Sequence, residues 1–442
     1  MATSFVQTLI CLLAGIAVIV LLTAKYRIHA FFALLIACFV VGLGVQMTVP
    51  GIIDAVKEGF GNIMKSLGLI IVLGTTLGVI LEHTGSTRVM AAFILKKVGE
   101  KKAPLAMSIT GFIVGLPIFC DSGFIVLSGL NRSLAKRTGI SIVVMSVSLA
   151  TGLMAVHCLI PPHPGAAAAA ATIGVDLGKL ILIGIVVAIP AMIVGYLWAN
   201  YAGKKVPAIV VEEEIIAEAN ARPPSVIKAF LPVVVPIILI AVKSFLAIGK
   251  TATGGWLNIF LSLGDPVIAL SIGVLLAFNC SRSWTRNTLS KQLQEAVEKA
   301  GSILVIIGAG GAFGAVLAAT KIGEHFSEVL PLGSLGLLFP FLLTFILKTA
   351  QGSSTVAIIT AATIIQPLLP ALGLESETGK LICVLSMGAG SMVISHANDA
   401  YFWVVAKFSG LDMRTMLKVY SIATLLMGLT TLLMVYFLSL II

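Results

Sequence analysis

The chain has 442 residues, of which 58% are hydrophobic and 11% are charged, and its mean hydropathy is +1.10. This composition excludes a soluble globular protein and indicates an all-α polytopic membrane protein. The net charge of +10 does not indicate a nucleic-acid partner, because the basic residues lie in short loops between apolar runs.

The apolar runs are long enough to predict ten membrane-spanning helices. No basic segment precedes the first run, and Lys25 and Arg27 follow it, so an uncleaved span with its N-terminus outside is predicted. The runs lie near residues 5–24, 28–49, 62–82, 139–156, 177–199, 226–247, 264–279, 302–320, 379–394 and 417–441.

Two further apolar regions, 104–130 and 333–369, are interrupted in the middle by glycine and polar residues. The interruptions fall at 115–123 and at 348–355. We predict each region to be a re-entrant hairpin that enters and leaves the membrane on the same side. Most of the 29 Lys and Arg residues then lie in cytoplasmic loops, as the positive-inside rule requires, and the C-terminus lies outside.

The same order of segments occurs twice along the chain. A charged motif, at 54–58 and again at 295–299, precedes a span, a broken hairpin, a second span and a histidine motif. The first hairpin is predicted to open inside and the second outside. The repeats are therefore predicted to be inverted, as in many secondary transporters with broken helices and a site at the midplane.

The domain boundaries follow from this layout. A first membrane half over 1–202 contains repeat 1, at about 54–199. A polar stretch over 203–225 is predicted to be a cytoplasmic linker. A second half over 226–442 contains repeat 2, at about 295–441.

The central motif is His157-Cys158-Leu159-Ile160-Pro161-Pro162-His163-Pro164-Gly165, between two runs of spanning length. Its prolines prevent a regular helix, and broken backbone at bilayer depth is tolerated only where protein or a watery cavity satisfies it. Because ionisable residues inside a membrane are functional candidates, the motif is predicted to bind substrate through His157, Pro162, His163 and Gly165. The alternative is a proline kink whose histidines bond to neighbouring helices.

Both hairpins offer a point at which a helix could restart, and Pro164 offers a third. The free N–H groups of a restarting helix favour an anion such as a carboxylate. Small polar residues and glycines also mediate helix packing, which is the alternative role for each of them. The substrate-binding residues predicted at these points are Asp121, Ser122, Gly123, Thr349, Gln351, Gly352, Ser353, Ser354, Thr355 and Asn398.

Four ionisable residues are predicted to couple transport to protons: Asp121, His157, His396 and Asp399. Asp121 in hydrocarbon would cost about 2.5–3.5 kcal/mol, so a functional role is favoured over a structural partner at a helix end. In the motif Ser395-His396-Ala397-Asn398-Asp399, a histidine near an aspartate can exchange a proton at physiological pH. The alternative for this motif is a helix N-cap by Asn398 or Asp399.

These motifs together resemble the gluconate permease family of bacterial inner-membrane symporters, within the ion transporter superfamily. The resemblance covers essentially the whole chain and rests on residues 115–124, 157–165, 352–357 and 395–403. It implies proton-coupled uptake of gluconate or a related sugar acid, an elevator motion and a homodimer. One departure is Cys120-Asp121-Ser122, where many gluconate permeases have a glutamate with an aromatic neighbour, so glycerate and D-serine stay open as substrates.

Three other mechanisms are weighed. Sodium coupling is open, because unwound carbonyls and hydroxyls at hairpin tips also suit Na⁺. A passive channel is less favoured, since two opposed hairpins suit alternating access. An intramembrane metalloenzyme is least favoured, because His157 and His163 lack the spacing of a zinc protease and the six cysteines show no metal-ligand spacing. No metal, cofactor or enzymatic activity is predicted.

Overall fold

The computed structural model describes residues 5–206, 223–248, 261–281, 284–320, 335–397 and 399–441, and these ranges are helical without any β-strand. The first half consists of α1 (Phe5–Val20), α2 (Ala30–Gly44), α3 (Val49–His83), α4 (Ser86–Val98), α5 (Ala103–Gly115), α6 (Cys120–Thr138), α7 (Ile142–Leu159), α8 (Pro164–Ile173) and α9 (Leu177–Gly203). The second consists of α10 (Val226–Ile248), α11 (Pro266–Phe278), α12 (Arg286–Ala319), α13 (Leu338–Gln351), α14 (Ser354–Ile365), α15 (Glu377–Met392), α16 (Ala400–Ser409) and α17 (Ile422–Ile441).

Within these ranges, eight helical stretches are long and apolar enough to cross a membrane, where the sequence predicts ten. Three predicted spans form the shorter helices α2, α11 and α15, of 15, 13 and 16 residues. At 1.5 Å per residue they measure about 20–24 Å, less than the hydrocarbon core of about 30 Å. Conversely, Ser354–Leu372 is long enough to span, although the sequence places it in the second hairpin.

The two longest helices among the described residues, α3 and α12, pack against each other. They are 35 and 34 residues long, and the hydroxyls of Thr48 and Thr285 cap their N-termini. His83 at the end of α3 stacks on Trp284 just before α12, so the two helices run antiparallel. They approach closely because a Cβ on Gly311 would lie only 2.6 Å from the carbonyl oxygen of Gly59.

The two halves interleave around this pair. From the first half, α2 packs on α12, and from the second half, α11 packs on α3. In the same way α8 packs against α14, and α16 packs against α6. Each half therefore completes its packing with helices from the other half.

Both regions that the sequence predicts to be broken consist of two adjacent helices with a short turn between them. We call α5 and α6 the first helix pair, with its tip at 116–119, and α13 and α14 the second, with its tip at 352–353. Gly352 ends α13 in the left-handed region, at φ 81°, which a glycine adopts without strain. Most of the predicted linker lies outside the described residues; α9 ends at Gly203 and α10 begins at Val226.

Candidate functional site

Four helices begin at one cavity of about 330 Å³. Their first residues, which all line it, are Cys120 of α6, Pro164 of α8, Ser354 of α14 and Ala400 of α16. The first N–H groups of a helix lack partners within it, and its dipole places a partial positive charge there. Four converging N-termini, two from each half, make this cavity favourable for an anion.

Beside the tips of both helix pairs, residues that line this cavity carry buried polar atoms that the described residues leave unbonded. Asp121 lies in the first turn of α6, and its Oδ1 is buried with no hydrogen-bond partner among the described residues. Gln351 ends α13, and its amide Nε2 and Oε1 are also buried with no hydrogen-bond partner among the described residues. A buried polar atom without a bond costs about 1–3 kcal/mol, so these atoms are arranged for a ligand or for water.

The two histidines of the central motif have different surroundings. Every residue of α7 except His157 is buried, and His157 lines the cavity, with its Nε2 3.5 Å from the hydroxyl of Thr355. The ring of His163 lies 5.0 Å from that of His157, but it is buried outside the cavity lining. Its Nε2–H donates to the carbonyl of Gly115 at 2.6 Å. The structural role that the sequence left open therefore fits His163, while His157 faces the site.

A buried ion pair adjoins the cavity through Asp399, and the sequence analysis did not single out its lysine. Lys348 Nζ lies 2.7 Å from Asp399 Oδ2 and donates to the carbonyl of Gly352 at 2.6 Å. The two side chains are only 1% and 8% exposed. A signal was present, because a lysine within an apolar run needs an opposite charge nearby.

Asp399 makes further bonds that explain its place. It accepts from the hydroxyl of Ser395, and its Oδ1 accepts from the N–H of Tyr401 at 3.0 Å, which caps α16. The N-cap alternative for the second histidine motif is therefore present in the structure. His396 does not line the cavity; its Nε2–H donates to the carbonyl of Thr349 at 3.1 Å.

The hydroxyl residues at the second tip line the cavity and also serve the helix. Ser353 caps α14 by accepting from the N–H of Val356 at 3.3 Å. Ser354 donates to the carbonyl of Ser391 at 2.9 Å, which fixes the start of α14 against α15. Gly352 and Thr355 complete this side of the cavity.

The remaining predicted site residues do not line the cavity, and Asn398 lies outside the described residues. Ser122 directly follows Asp121, which does line it, and Thr349 comes two residues before Gln351, which also does. Two glycines serve packing: a Cβ on Gly123 would lie 2.8 Å from Leu153 Cδ2, and one on Gly165 would lie 3.3 Å from Thr355 Cα.

Pro162 contributes to a second, apolar cavity of about 30 Å³, which is also lined by Pro117 and Pro236. In the part of the chain that the structure describes, no three His, Cys, Asp or Glu side chains cluster as a metal site requires.

Comparison with known proteins decides the family. The profile described as GntP family permease matches residues 7–441. The chain belongs to the GntP permease family. The resemblance predicted from its motifs is therefore confirmed, and this GntP family member is a transporter and not an enzyme.

Individual relatives agree with this assignment. The gluconate permease of Pseudomonas aeruginosa is 31% identical over 439 residues, covering 96% of each chain. The D-serine transporter DsdX of Escherichia coli O6:H1 is 31% identical over 440 residues, covering 98% of each. Among solved structures, the YdaH transporter of Alcanivorax borkumensis shares the fold, with a TM-score of 0.63 at 14% identity over 96% of this chain and 98% of that one.

Proposed function

We propose that this GntP family member takes up a small hydroxylated carboxylate, gluconate or a related sugar acid, by proton symport. The observation that carries the proposal is the convergence of four helix N-termini on one cavity. Their N–H groups would bind the carboxylate, while Lys348 is already neutralised by Asp399. A volume of about 330 Å³ is near the lower end of ligand sites, which suits a small acid.

The polar lining suits a substrate that carries hydroxyl groups. The Gln351 amide supplies two donors and an acceptor that have no partner among the described residues, and Ser353 and Thr355 line the same cavity. A sugar acid offers both donors and acceptors along its chain. Its hydroxyls would therefore satisfy atoms that are otherwise buried without bonds.

Asp121 is the residue we propose as the main proton site. An ionised Asp121 would repel an anion held in the same cavity, because both charges are removed from water. When Asp121 is protonated, the repulsion disappears and the carboxyl group can donate a hydrogen bond. Proton and anion would then bind together, with His157, which also lines the cavity, as the second proton site.

An asymmetry between α3 and α12 supports two inverted repeats and an elevator motion. Gly78 and Gly314 hold matching positions, five residues before their helices end. A Cβ on Gly78 would lie 2.7 Å from the carbonyl oxygen of Pro117, at the tip of the first helix pair. One on Gly314 would lie 3.2 Å from Thr363 Cβ, which is nine residues beyond the start of α14.

The tip of the second helix pair instead shares the cavity with Ile303 and Ile306, at another height on α12. The first tip therefore lies at the level of Gly78, which corresponds to Gly314, whereas the second tip lies at the level of Ile303 and Ile306, 8 to 11 residues earlier along the helix. At the rise of an α-helix, this difference is about 12–17 Å. Sliding the site-bearing helices by this distance along α3 and α12 would exchange the two arrangements. If both helix pairs are re-entrant hairpins and both termini lie outside, α3 ends on the inner side of the membrane. The first tip approaches α3 near this inner end, so the described state would be the inward-facing one.

From the charge distribution we propose that the linker is cytoplasmic. From the family we propose a bacterial inner-membrane location and a homodimer. Sodium coupling is the alternative coupling mode, with Ser353, Thr355 and the tip carbonyls as ligands. Glycerate and D-serine are the alternative substrates. The ammonium group of D-serine would pair with an ionised Asp121.

The test is uptake by the purified protein in liposomes under an imposed inward proton gradient. The panel is gluconate, glycerate, a uronate and D-serine, each with and without a protonophore. We expect a sugar acid to accumulate above equilibrium and the protonophore to abolish this. Accumulation that follows only a sodium gradient would show that sodium, and not the proton, is the coupling ion. Equilibration of the acid without accumulation would indicate a channel.

A further inference from the structure

We propose that the ends of α4 and α6, together with the short segment Glu100–Lys102 between α4 and α5, bind the anionic headgroup of a membrane phospholipid, whose acyl chain lies along α10. This inference uses the cytoplasmic orientation proposed above, but not the substrate or the coupling ion. It assigns a lipid site to a surface remote from the transport cavity.

The first observation is a concentration of exposed positive charge, which we call the basic patch. The segments 86–102 and 131–138 contain a single acidic residue, Glu100, and Glu100 is already paired with Arg137 at 2.5 Å. This ion pair also joins the end of α6 to the segment between α4 and α5, so the patch is one continuous surface. Its exposed members are Lys96, Lys97, Lys101, Lys102, Lys136 and Arg137.

The second observation is an aromatic contact at the edge of the basic patch. Lys97 Nζ lies 5.7 Å from the ring centroid of Phe93, and Phe93 packs edge-on against Phe230 of α10 at 5.7 Å. A cation beside aromatic rings is typical of the level where headgroups meet the acyl region.

An exposed apolar stripe continues from this contact along α10. Its members follow one face of the helix at intervals of three and four residues: Ile227, Leu231, Val234, Ile238 and Val242. A phosphate held by Lys97 would therefore place its acyl chain against α10. The combination of headgroup and chain contacts selects an acidic phospholipid and not a soluble anion.

Orientation in the membrane does not by itself account for the basic patch. The positive-inside rule acts on basic residues wherever they lie in short inner loops. Two basic residues that are predicted inside at other places have local partners: Lys205 lies over the Tyr201 ring at 3.8 Å, and Lys299 pairs with Glu295 at 2.7 Å. The basic patch contains six exposed basic residues and a single acidic residue, and such clusters recognise anionic lipid.

The experiment is native mass spectrometry of the purified full-length protein with phosphatidylglycerol or phosphatidylcholine of identical acyl chains. We expect phosphatidylglycerol to be retained in preference. Each charge removed should weaken this binding about fivefold, so Lys96→Gln, Lys97→Gln, Lys101→Gln and Lys102→Gln combined should weaken it about 100-fold or more. The matched control combines Lys204→Gln, Lys205→Gln, Lys407→Gln and Lys418→Gln, which removes the same charge elsewhere and should leave the preference intact.

Equal retention of the two lipids by the wild type, or an equal loss in both fourfold variants, would overturn the lipid site. If the first fourfold variant does not insert, Lys97→Gln alone tests the same point through its expected loss of about fivefold. Because no transported acid enters the measurement, an error in the proposed substrate leaves this result unchanged.

Discussion

His163 and Asp399 hold the same place in the two halves of the molecule, immediately before α8 and α16, but they form different bonds. His163 donates to the carbonyl of Gly115, the last residue of α5. Asp399 binds Lys348, which in turn donates to the carbonyl of Gly352 at the end of α13. Each link fastens the start of a short helix to the end of the first arm of its own helix pair.

The difference shows that one geometry can be held by a neutral or by an ionic link. The neutral link needs no opposite charge, whereas each partner of a buried ion pair depends on the other. Neither link adds net charge beside the cavity, because the first is neutral and the two charges of the second cancel. Among the described residues that line the cavity, Asp121 is then the carboxylate without an ion-pair partner, which is why substrate and proton are expected to meet there.

The largest effect is expected from breaking the ionic link with Lys348→Met. The unpaired Asp399 carboxylate would be left buried, at a cost of about 3–5 kcal/mol in the free energy of unfolding. Thermal unfolding of purified protein measures this change. The double variant with Asp399→Asn should regain much of the loss, and a double variant no more stable than Lys348→Met would show that the pair is not coupled.

The second-largest effect is expected at Asp121, whose charge neither link neutralises. Asp121→Asn should abolish proton-driven accumulation of the acid and leave membrane insertion intact, because the amide cannot carry the proton. Uptake under a proton gradient measures it, with Asp54→Asn, on the exposed start of α3, as the matched carboxylate control. Normal accumulation by Asp121→Asn would remove this residue from the coupling mechanism.

A smaller effect is expected from breaking the neutral link with His163→Phe. An aromatic ring is kept, but the Gly115 carbonyl loses its donor, at a cost of about 1–3 kcal/mol in unfolding free energy. Thermal unfolding should therefore show a smaller loss than Lys348→Met. A loss as large as that of Lys348→Met would contradict the distinction between the two links.

The smallest effect is expected at Ser353, which neither link touches. Ser353→Ala removes the N-cap of α14, at a cost of about 1 kcal/mol, and should raise the KM for uptake more than it lowers the maximal rate. Ser353→Asp, which restores a cap but adds negative charge, separates the two roles. It should recover stability and still impair binding of the acid.

The sequence predicts much of this arrangement because its signals are local. Proline and glycine interruptions indicate where helices stop, and three of the four helix starts at the cavity follow from them. The fourth, Ala400, follows the motif that the sequence treats mainly as a proton site. The family also follows, because several ordered motifs identify it together.

What the sequence could not predict depends on contacts between distant segments. Lys348 and Asp399 are 51 positions apart, and only the packing of α13 near the start of α16 makes them partners. Within the central motif, no local rule decides that His157 faces the cavity while Pro162 faces an apolar one. Irregular backbone has no fixed period, so the side on which each residue lies is set by tertiary structure.

The interleaving of the halves has a consequence for biosynthesis. Helix α8 packs against α14, and α6 packs against α16. A nascent chain in which only the first nine helices have been inserted therefore contains α6 and α8 but lacks the helices that pack against them. The cavity exists only once α16 has been inserted, close to the end of translation. Premature termination before that point should therefore yield not a weak transporter but one without an anion site, and quality-control proteases would meet it as an unassembled bundle.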